Sequence, residues 1–411
     1  MNTLSGVYGR VAQFRRAWYG RHPQAVRSLA RPVISVGNLV VGGSGKTPVV
    51  AALARLLRAQ GEKPAIVSRG YGRRGSAAGA LVVSDGVMVL EPTARSGDEP
   101  QMLARALPGI PLVVSADRHL AGTLAERRFG CTVHLLDDGF QHLQLARDVN
   151  LLLVSSADLE ERVLPSGRLR ERLDASAAAD AVLVSGTEED ASSVARALGQ
   201  DTVFRVVPRY GAPRLVRPYG DPVPPGGCRA VAFAGIARPG RFFDALKAEG
   251  WEVVRELAFR DHHWFTERDL RSISAAADDT SADIVLTTEK DAVRLDSPVS
   301  HAWAYLPMEV AIEPAAAFET WLINRIERAR ASRPRPQGPA HVFTPGPQDP
   351  AYGTAPSPHH RPFAPSHRRS GSGPSSVRCF PMPTSSASGS ASVTVTCSVT
   401  GVSRIPCCSP H

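Results

Sequence analysis

The stretch from Pro32 to Gly61 limits the possible folds more than any other part of the chain. A β-branched run at 33–36 leads into a glycine-rich turn ending in GGSGKT, and apolar residues at helical spacing continue until Gly61. Strand, glycine-rich turn and helix in this order are the context of a phosphate-binding loop, in which backbone N–H groups and a helix N-terminus surround phosphate oxygens. We therefore expect a nucleotide site here, with an ordinary glycine-rich turn as the alternative.

The predicted phosphate-binding loop consists of consecutive residues, namely Val40, Val41, Gly42, Gly43, Ser44, Gly45, Lys46 and Thr47. Lys46 is expected to reach the β- and γ-phosphates of the nucleotide, and the Thr47 hydroxyl is expected to bind Mg²⁺. The general pattern of such loops begins with a glycine, and this chain has Val40 at that position. The loop is therefore a variant of the common form.

Two neighbouring carboxylates are the candidate metal partners. An apolar run at 131–136 leads directly into Asp137 and Asp138, downstream of the phosphate-binding loop. An Asp at the end of a buried strand in such proteins holds Mg²⁺ directly or through water. Either residue can take this role, and two acids that begin a turn before Gly139 are the alternative.

Arginines and an aspartate lie at other predicted strand and helix ends. A basic loop at 69–74 falls where parallel α/β sheets bind ligands, with a solvated turn as the alternative. A later loop places Arg168 and Arg170 near the strand ends, where they can bind phosphate, although arginines are common on the surface of this chain. Asp98 is placed to act as the N-cap of a helix at 101–107. Its spacing alone gives no reason to assign it a catalytic role.

Adjacent histidines, His262 and His263, follow Asp261 in the second half of the chain. Metal binding would need further ligands at zinc spacing, and the sequence has no such cluster. Proton chemistry or a polar contact is therefore the favoured interpretation for a histidine beside an aspartate.

Strands and helices alternate along the first 200 residues, which predicts an α/β fold with a doubly wound, mostly parallel sheet like that of P-loop NTPases. Extended, proline-rich sequence at 201–227 predicts a linker. A smaller α/β lobe at 228–312 and a closing helix at 313–331 follow. The remainder, 332–411, contains no Leu, Lys or Glu and is rich in Pro, Ser, Gly and Arg, so we expect a disordered tail.

Charge and cysteine content exclude several classes of protein. The formal net charge is +9, but the tail from Ser332 holds seven Arg and one Asp, so most of the excess lies there. The rest is nearly balanced, which argues against a nucleic-acid-binding protein. Cys131 and Cys228 are the only cysteines before the tail, which fits a reducing cytosol. We expect neither a signal peptide nor a membrane-spanning segment.

The first residues predict an amphipathic helix at 3–19. Its apolar positions recur at steps of three and four residues: Leu4, Val7, Val11, Phe14 and Trp18. A basic, aromatic-bearing helix of this kind can lie on an anionic bilayer surface. Packing against its own domain is an equally good interpretation of the pattern.

A set of motifs in this order resembles the tetraacyldisaccharide 4′-kinase family, the lipid A 4′-kinases: VGNLVVGGSGKTP, VSRGYGR, SGDEP, LLDDGFQH, LPSGRLRE, FAGIARP, DHHWF and TTEKDAVRL. The resemblance extends from about Leu4 to Arg330 and excludes the tail. It implies two α/β/α lobes joined by a two-stranded linker. It also makes Val40 a feature of the family's own loop.

The resemblance implies transfer of the γ-phosphate of ATP, with Mg²⁺, to the 4′-hydroxyl of a tetraacylated glucosamine disaccharide 1-phosphate, giving lipid IV-A. Lys46 and Thr47 would keep their phosphate and Mg²⁺ roles, and Asp138 or Asp137 would support the metal. Asp98 would take the hydroxyl proton with help from His262, or from His263 as the second choice. Arg170 would stabilise the transferring charge.

The same resemblance implies a peripheral protein on the cytoplasmic face of the inner membrane, with the N-terminal helix as the membrane contact. We expect a monomer and no nucleic-acid partner. A membrane-cycling ATPase of the partition type is the alternative, but those proteins have a Lys where this chain has Val41. A P-loop kinase acting on a soluble substrate is a third interpretation.

Overall fold

The structure is a computed structural model that describes residues 3–43, 45–71, 79–223, 229–295 and 302–333. All of these belong to one compact unit within 1–355. The predicted disordered tail lies outside the described residues, apart from Ser332 and Arg333. The tip of the predicted basic loop, with Arg73 and Arg74, lies outside them as well.

The secondary structure alternates between strands and helices, as the sequence predicts. The helices are α1 (Thr3–Arg21), α2 (Lys46–Ala59), α3 (Thr93–Ser96), α4 (Asp98–Ala106), α5 (Arg118–Phe129), α6 (Glu188–Leu198), α7 (Pro239–Ala248), α8 (Glu267–Asp279), α9 (Glu289–Ala292) and α10 (Ala315–Ala331). The strands are β1 (Val33–Asn38), β2 (Pro64–Ser68), β3 (Leu81–Ser84), β4 (Leu112–Val114), β5 (Val133–Asp137), β6 (Val149–Val154), β7 (Ala181–Ser185), β8 (Val203–Tyr210), β9 (Arg214–Leu215), β10 (Arg229–Ala234), β11 (Glu252–Ala258), β12 (Ile284–Thr288), β13 (Trp303–Leu306) and β14 (Met308–Glu313).

Within the described residues, the larger sheet has nine strands in the order β14-β8-β7-β6-β1-β5-β2-β4-β3. Every pair from β8 to β4 is parallel, and only the edge strands β3 and β14 pair in the antiparallel sense. β1 lies between β5 and β6, so the strand order reverses direction at β1. The predicted doubly wound, mostly parallel fold is confirmed. Ligands bind at such a reversal, beyond the carboxyl ends of the strands.

Apolar residues cover both faces of the larger sheet. We call this sheet and its helices the large lobe. All six residues of β1 are buried, as expected for a central strand between two layers of helices. One core includes the buried face of α2 (Val49, Val50, Leu53 and Leu57) and that of α10 (Phe318, Leu322 and Ile326). The closing helix therefore packs onto the large lobe.

A second sheet forms the small lobe, in the order β11-β10-β12-β13-β9. Its first four strands are parallel, and the short β9 pairs antiparallel with β13. Phe233 and Trp303, both buried, pack edge to face at 5.3 Å between ring centroids in its core. The small lobe thus has a hydrophobic core of its own.

The strand pair that connects the two lobes differs from the prediction. Both linker strands were expected within 201–227, of which 224–227 lies outside the described residues. In the structure β8 pairs instead with β14, in a register that runs from Tyr210↔Met308 to Arg205↔Glu313. The segment 308–312, assigned to the small lobe by the prediction, is therefore a strand of the large sheet.

Candidate active site

The glycine-rich turn joins β1 to α2 at the carboxyl end of the large sheet. Asn38 ends β1, and its side-chain oxygen accepts a hydrogen bond from Lys46 Nζ at 2.9 Å. Gly45 is the N-cap of α2 with φ of 81°, a left-handed conformation that favours glycine. Thr47 occupies the first turn of α2. The turn therefore presents a lysine, a hydroxyl and a helix N-terminus together; Ser44 lies outside the described residues.

Val40 has a structural reason to replace the usual glycine. It is buried and forms an antiparallel bridge with Leu169, and both belong to one apolar cluster with Leu39 and Phe140. Beside it, the Val41 N–H donates to the Arg168 carbonyl at 2.8 Å, and Arg168 Nη2 donates to the Val41 carbonyl at 3.0 Å. The start of the loop is thus paired with 168–170 as a short piece of extended backbone, in which a β-branched residue is favourable.

Asp138 lies beside the phosphate-binding loop and is paired with two cations. Arg170 Nη1 is 2.8 Å from its carboxylate, and Lys46 Nζ is 3.4 Å away. Burial alone would raise the pKa of Asp138, but the charges of Lys46 and Arg170 outweigh that effect and lower it. Lys46, Asp138 and Arg170, three of the residues that the sequence proposes, therefore lie in one cluster.

Asp137 is more deeply buried, at the end of β5. Its carboxylate accepts a hydrogen bond from Ser68 Oγ at 3.2 Å, across the neighbouring strand β2. Burial raises the pKa of Asp137, and the nearby charges of Glu99 and Asp138 raise it further, while Lys46 opposes them. Negative charge is thus concentrated beside the phosphate-binding loop.

This donor set fits a magnesium ion. Within the described residues no group of three or more His, Cys, Asp or Glu side chains is placed to hold a metal. Magnesium does not need such a cage, because it usually takes one or two protein oxygens together with substrate phosphates and water. A Thr47 hydroxyl and a carboxylate from Asp137 or Asp138 meet that requirement, and a cation there would favour ionisation of Asp137, whose pKa burial and the neighbouring acids Glu99 and Asp138 raise.

Asp98 is the first residue of α4, and the prediction that it caps this helix is wrong. The N-cap is Gly97, whose φ of 93° requires glycine and whose Cβ position would lie 2.5 Å from the Tyr71 carbonyl oxygen. The Asp98 side chain makes no capping bond. Its Oδ2 atom instead lies 2.7 Å from Nδ1 of His262, a residue of the small lobe.

Two basic groups surround this carboxylate. Besides His262, Arg294 donates from Nη2 to Asp98 Oδ2 at 2.5 Å. Burial opposes ionisation of Asp98, but the hydrogen bonds and charges of His262 and Arg294 prevail and hold its pKa at about 2. Asp98 is therefore an ionised carboxylate at neutral pH.

The two adjacent histidines have different surroundings. His262 Nε2 lies 3.2 Å from Lys290 Nζ, so both ring nitrogens of His262 face polar groups at the boundary between the lobes. His263 Nε2 is 3.0 Å from Asp269, and its ring stacks on Phe259 within the small lobe. The geometry therefore selects His262, rather than His263, as the partner of Asp98.

Sequence reasoning gave no role to several residues that border these clusters: Asn38, Glu99, Arg118, Lys290 and Arg294. Arg118 is buried, and burial together with the charge of Arg69 lowers its pKa to about 10, while Asp138 and Asp137 oppose that effect. Lys290 and Arg294 both belong to the motif TTEKDAVRL, so the motif itself was the available signal. A single sequence does not show which lobe such a motif faces.

A family model described as LpxK, tetraacyldisaccharide-1-P 4′-kinase, matches residues 1–327. The chain belongs to this family. Among the curated LpxK relatives, a tetraacyldisaccharide 4′-kinase from Geobacter metallireducens is 44% identical over 304 residues, 72% of this chain and 88% of that protein. One from Geobacter sulfurreducens is 42% identical over 321 residues, 75% of this chain and 86% of that protein.

A solved structure of LpxK from Aquifex aeolicus, described as an "apo" form in complex with ATP, has the same fold. It is 33% identical to this chain with a TM-score of 0.66, and the match covers 79% of this chain and 97% of that one. The LpxK match includes both lobes and the motifs DHHWF and TTEKDAVRL. A partition-type ATPase, the alternative drawn from the loop alone, is not supported.

Proposed function

We propose that this chain transfers the γ-phosphate of ATP to the 4′-hydroxyl of a tetraacyldisaccharide 1-phosphate, forming lipid IV-A in lipid A biosynthesis. Membership of the LpxK family makes it a phosphotransferase that uses ATP and Mg²⁺. The observation that carries the proposal is the 2.7 Å contact between Asp98 of the large lobe and His262 of the small lobe. In our proposal these two side chains form a proton-accepting pair beside the nucleotide site.

The phosphate-binding loop is our proposed ATP site, comprising Val40, Val41, Gly42, Gly43, Ser44, Gly45, Lys46 and Thr47. Lys46 would leave Asn38 and Asp138 to contact the β- and γ-phosphates, since a lysine side chain is long and mobile. Thr47, with Asp138 or Asp137, would hold Mg²⁺. When bound, that ion neutralises charge on the β- and γ-phosphate oxygens.

In the proposed reaction, the 4′-hydroxyl oxygen attacks the γ-phosphorus while the bond from phosphorus to the bridging oxygen of ADP breaks. Such transition states are loose, so the hydroxyl proton leaves late, when the oxygen has become strongly acidic. A carboxylate with a pKa of about 2 can accept that proton, and before then it orients the hydroxyl. We therefore assign proton acceptance to Asp98, and we assign to His262 the role of orienting the Asp98 carboxylate.

Arg170 is the proposed stabiliser of the transferring charge. Its guanidinium already lies against Asp138, at the same edge of the sheet as Lys46. An arginine fixed by a carboxylate is a preorganised cation, and such groups act on phosphoryl oxygens without further reorganisation. Asp138 would thus have two roles, since it borders the metal site and holds Arg170.

Helix α1 is the proposed contact with the membrane surface. It packs on the large lobe through its polar and small residues: Ser5 bonds Ser166 at 2.7 Å, and Arg16 bonds Glu171 at 2.8 Å. Its apolar residues point outward instead, with Leu4 at 64% and Phe14 at 68% exposure. One face of α1 thus packs on its own domain, and the apolar residues that it leaves outside support the proposed contact with a bilayer surface.

Among the described residues no helix is long and apolar enough to span a bilayer. We propose a peripheral location on the cytoplasmic face of the inner membrane, where α1 would reach a substrate whose acyl chains remain in the bilayer. We also propose a monomer. A kinase of soluble substrates would have no use for the exposed face of α1.

The direct test is incubation of the purified chain with ATP, Mg²⁺ and the tetraacyldisaccharide 1-phosphate in detergent micelles. Mass spectrometry and phosphorus NMR should show one added phosphate, as a monoester at the 4′ position. Water alone as acceptor should give little release of phosphate. ATP hydrolysis at equal rates with and without the lipid would contradict the proposal.

A further inference from the structure

Arg294 lies in the turn after α9, and its side chain is fully buried at the boundary between the lobes. Its two terminal nitrogens bind carboxylates from different lobes. Nη1 is 2.9 Å from Asp291 Oδ1 in the small lobe, and Nη2 is 2.5 Å from Asp98 Oδ2 in the large lobe. The planar guanidinium can hold two carboxylates in a fixed geometry, which an ammonium group cannot do.

The small-lobe end of this bridge is itself fixed. Asp291 is buried and accepts hydrogen bonds from the Gly235 N–H at 2.9 Å and from Thr288 Oγ1 at 2.7 Å. Arg294 Nη1 also donates to the Gly235 carbonyl at 3.2 Å. Since these partners belong to the ends of β10 and β12, the guanidinium is attached to the sheet of the small lobe.

His262 contacts two of the groups that Arg294 contacts, the Gly235 carbonyl and Asp98 Oδ2. The His262 N–H donates to the same Gly235 carbonyl at 3.1 Å, and its ring nitrogen Nδ1 contacts the same Oδ2 atom of Asp98 at 2.7 Å. Arg294 Nη2 lies only 3.4 Å from that ring nitrogen. A displacement of the guanidinium would therefore change the positions of the Asp98 carboxylate and the His262 ring together.

A simpler role for Arg294 is to hold the two lobes together. A neighbouring contact allows this role to be tested separately from the positioning of Asp98 and His262. Thr93 Oγ1 donates to the Val293 carbonyl at 2.6 Å, next to Arg294 in the chain. This buried bond joins the same two segments without touching Asp98 or His262. A Thr93 variant therefore weakens adhesion only, while an Arg294 variant would also disturb the proposed proton-accepting pair.

We infer that Arg294 is a positioning residue for the transfer: it fixes the Asp98 carboxylate to the small lobe and thereby sets the geometry of the Asp98–His262 pair. This inference rests on the proposed function. It adds to that function a residue that contacts neither ATP nor the lipid. The alignment of the Asp98–His262 pair then depends on one buried cation.

The test compares Arg294→Met, Arg294→Lys and Asp291→Asn with Thr93→Val as the matched control, at saturating ATP and lipid. Arg294→Met should lower kcat by about 10- to 100-fold, because displacements of about 1 Å at reacting groups have effects of that size. KM for ATP should stay within about twofold, since the guanidinium lies outside the phosphate-binding loop. Arg294→Lys should recover part of kcat. Asp291→Asn weakens the contact between Arg294 and the small lobe without removing it, so its kcat should lie between those of wild type and Arg294→Met.

A second readout does not depend on turnover. In nitrogen-15 spectra of histidine-labelled protein, the His262 ring signals, assigned with His262→Gln, should shift in Arg294→Met and remain in place in Thr93→Val. Wild-type kcat and unshifted His262 signals in Arg294→Met would overturn the inference. So would losses of kcat that simply follow the losses of stability in both Arg294→Met and Thr93→Val. If the wild-type protein fails to phosphorylate the lipid, the proposed function is wrong. The His262 signals in Arg294→Met then still show whether Arg294 sets the geometry of the Asp98–His262 pair.

Discussion

One carboxylate oxygen, Asp98 Oδ2, receives a guanidinium and an imidazole from the opposite lobe. Local sequence could not reveal this, because an Asp next to a glycine and a proline at a helix start has the same pattern as a capping residue. Gly97 takes the capping position, so the carboxylate is free to cross to the small lobe. Its partners lie 164 and 196 residues away along the chain, so the pairing with His262 was expected only from the family resemblance, and the pairing with Arg294 was not expected.

Lys46 gives a prediction at the scale of one residue. Lys46→Ala should lower kcat for lipid phosphorylation at least about 100-fold, because it removes the charge closest to the transferred phosphate. Circular dichroism and the unfolding midpoint should change little. Lys63→Ala, at an exposed lysine before β2, is the control and should keep wild-type kinetics. Near-normal turnover in Lys46→Ala would contradict the assignment of the phosphate-binding loop.

Strands and helices were easier to predict than their pairing. The fully buried β1, the largely buried β6 and the long helix α2 carry strong local patterns and lie where those patterns indicate. β14 was missed because it pairs with β8, about 100 residues earlier, and because a six-residue segment does not show by its own pattern which sheet it joins. The pairing of the two strands that connect the lobes was therefore known only once the structure was available.

Glu289 begins α9 beside β14, and it gives a prediction about the pH dependence of stability. Burial raises its pKa to about 7, although Arg55 opposes this. Because the folded pKa exceeds that of the unfolded chain, protonation favours folding, and this stability is lost as the pH rises from 4.5 to about 7. Glu289→Gln should therefore be more stable than wild type at pH 8, by about 1–3 kcal/mol.

Denaturant unfolding at pH 5 and pH 8 checks this prediction. The difference in free energy of unfolding between the two pH values should be smaller in Glu289→Gln than in wild type. Glu249→Gln, at an exposed residue after α7, is the control and should follow wild type. An unchanged pH dependence in Glu289→Gln would mean that the carboxyl is ionised without cost in the folded protein.

The outward face of α1 gives a prediction about membrane binding. A double variant, Val11→Asp with Phe14→Asp, should bind vesicles containing anionic lipid at least about 10-fold more weakly, since two apolar side chains are lost from the contact. KM for the lipid should rise, and KM for ATP should stay unchanged. The control is Val87→Asp, which changes a residue in the turn after β3 that is 90% exposed. It should bind the vesicles as wild type does. Equal binding by all three proteins would exclude α1 as the membrane contact.

At the scale of the whole molecule, the two lobes and their connecting strands account for all residues that we assign to the site. The family match ends at residue 327, and Arg333, which pairs with Asp148 at 2.6 Å, is the last described residue. Removal of 334–411 should therefore leave kcat, both KM values and the free energy of unfolding unchanged. Steady-state kinetics and denaturant unfolding of the shortened chain check this.

A longer truncation serves as the comparison. Removal of 326–411 also deletes Ile326, which is buried in the core of the large lobe, and should lower stability by several kcal/mol. If the 334–411 truncation alone abolished activity, the tail would belong to the functional protein, and the proposed division of the chain would be incorrect.

The central claim is that Asp98 and His262, from different lobes, act as one unit on the substrate hydroxyl. A double-mutant cycle on kcat tests it most directly, with Asp98→Asn, His262→Gln and the double variant. Asp98→Asn should lower kcat by about 10²- to 10⁴-fold. The double variant should then be little slower than Asp98→Asn, because residues that act as a unit are non-additive. If the two effects on kcat multiplied, Asp98 and His262 would act independently, and the site would not be shared between the lobes as we propose.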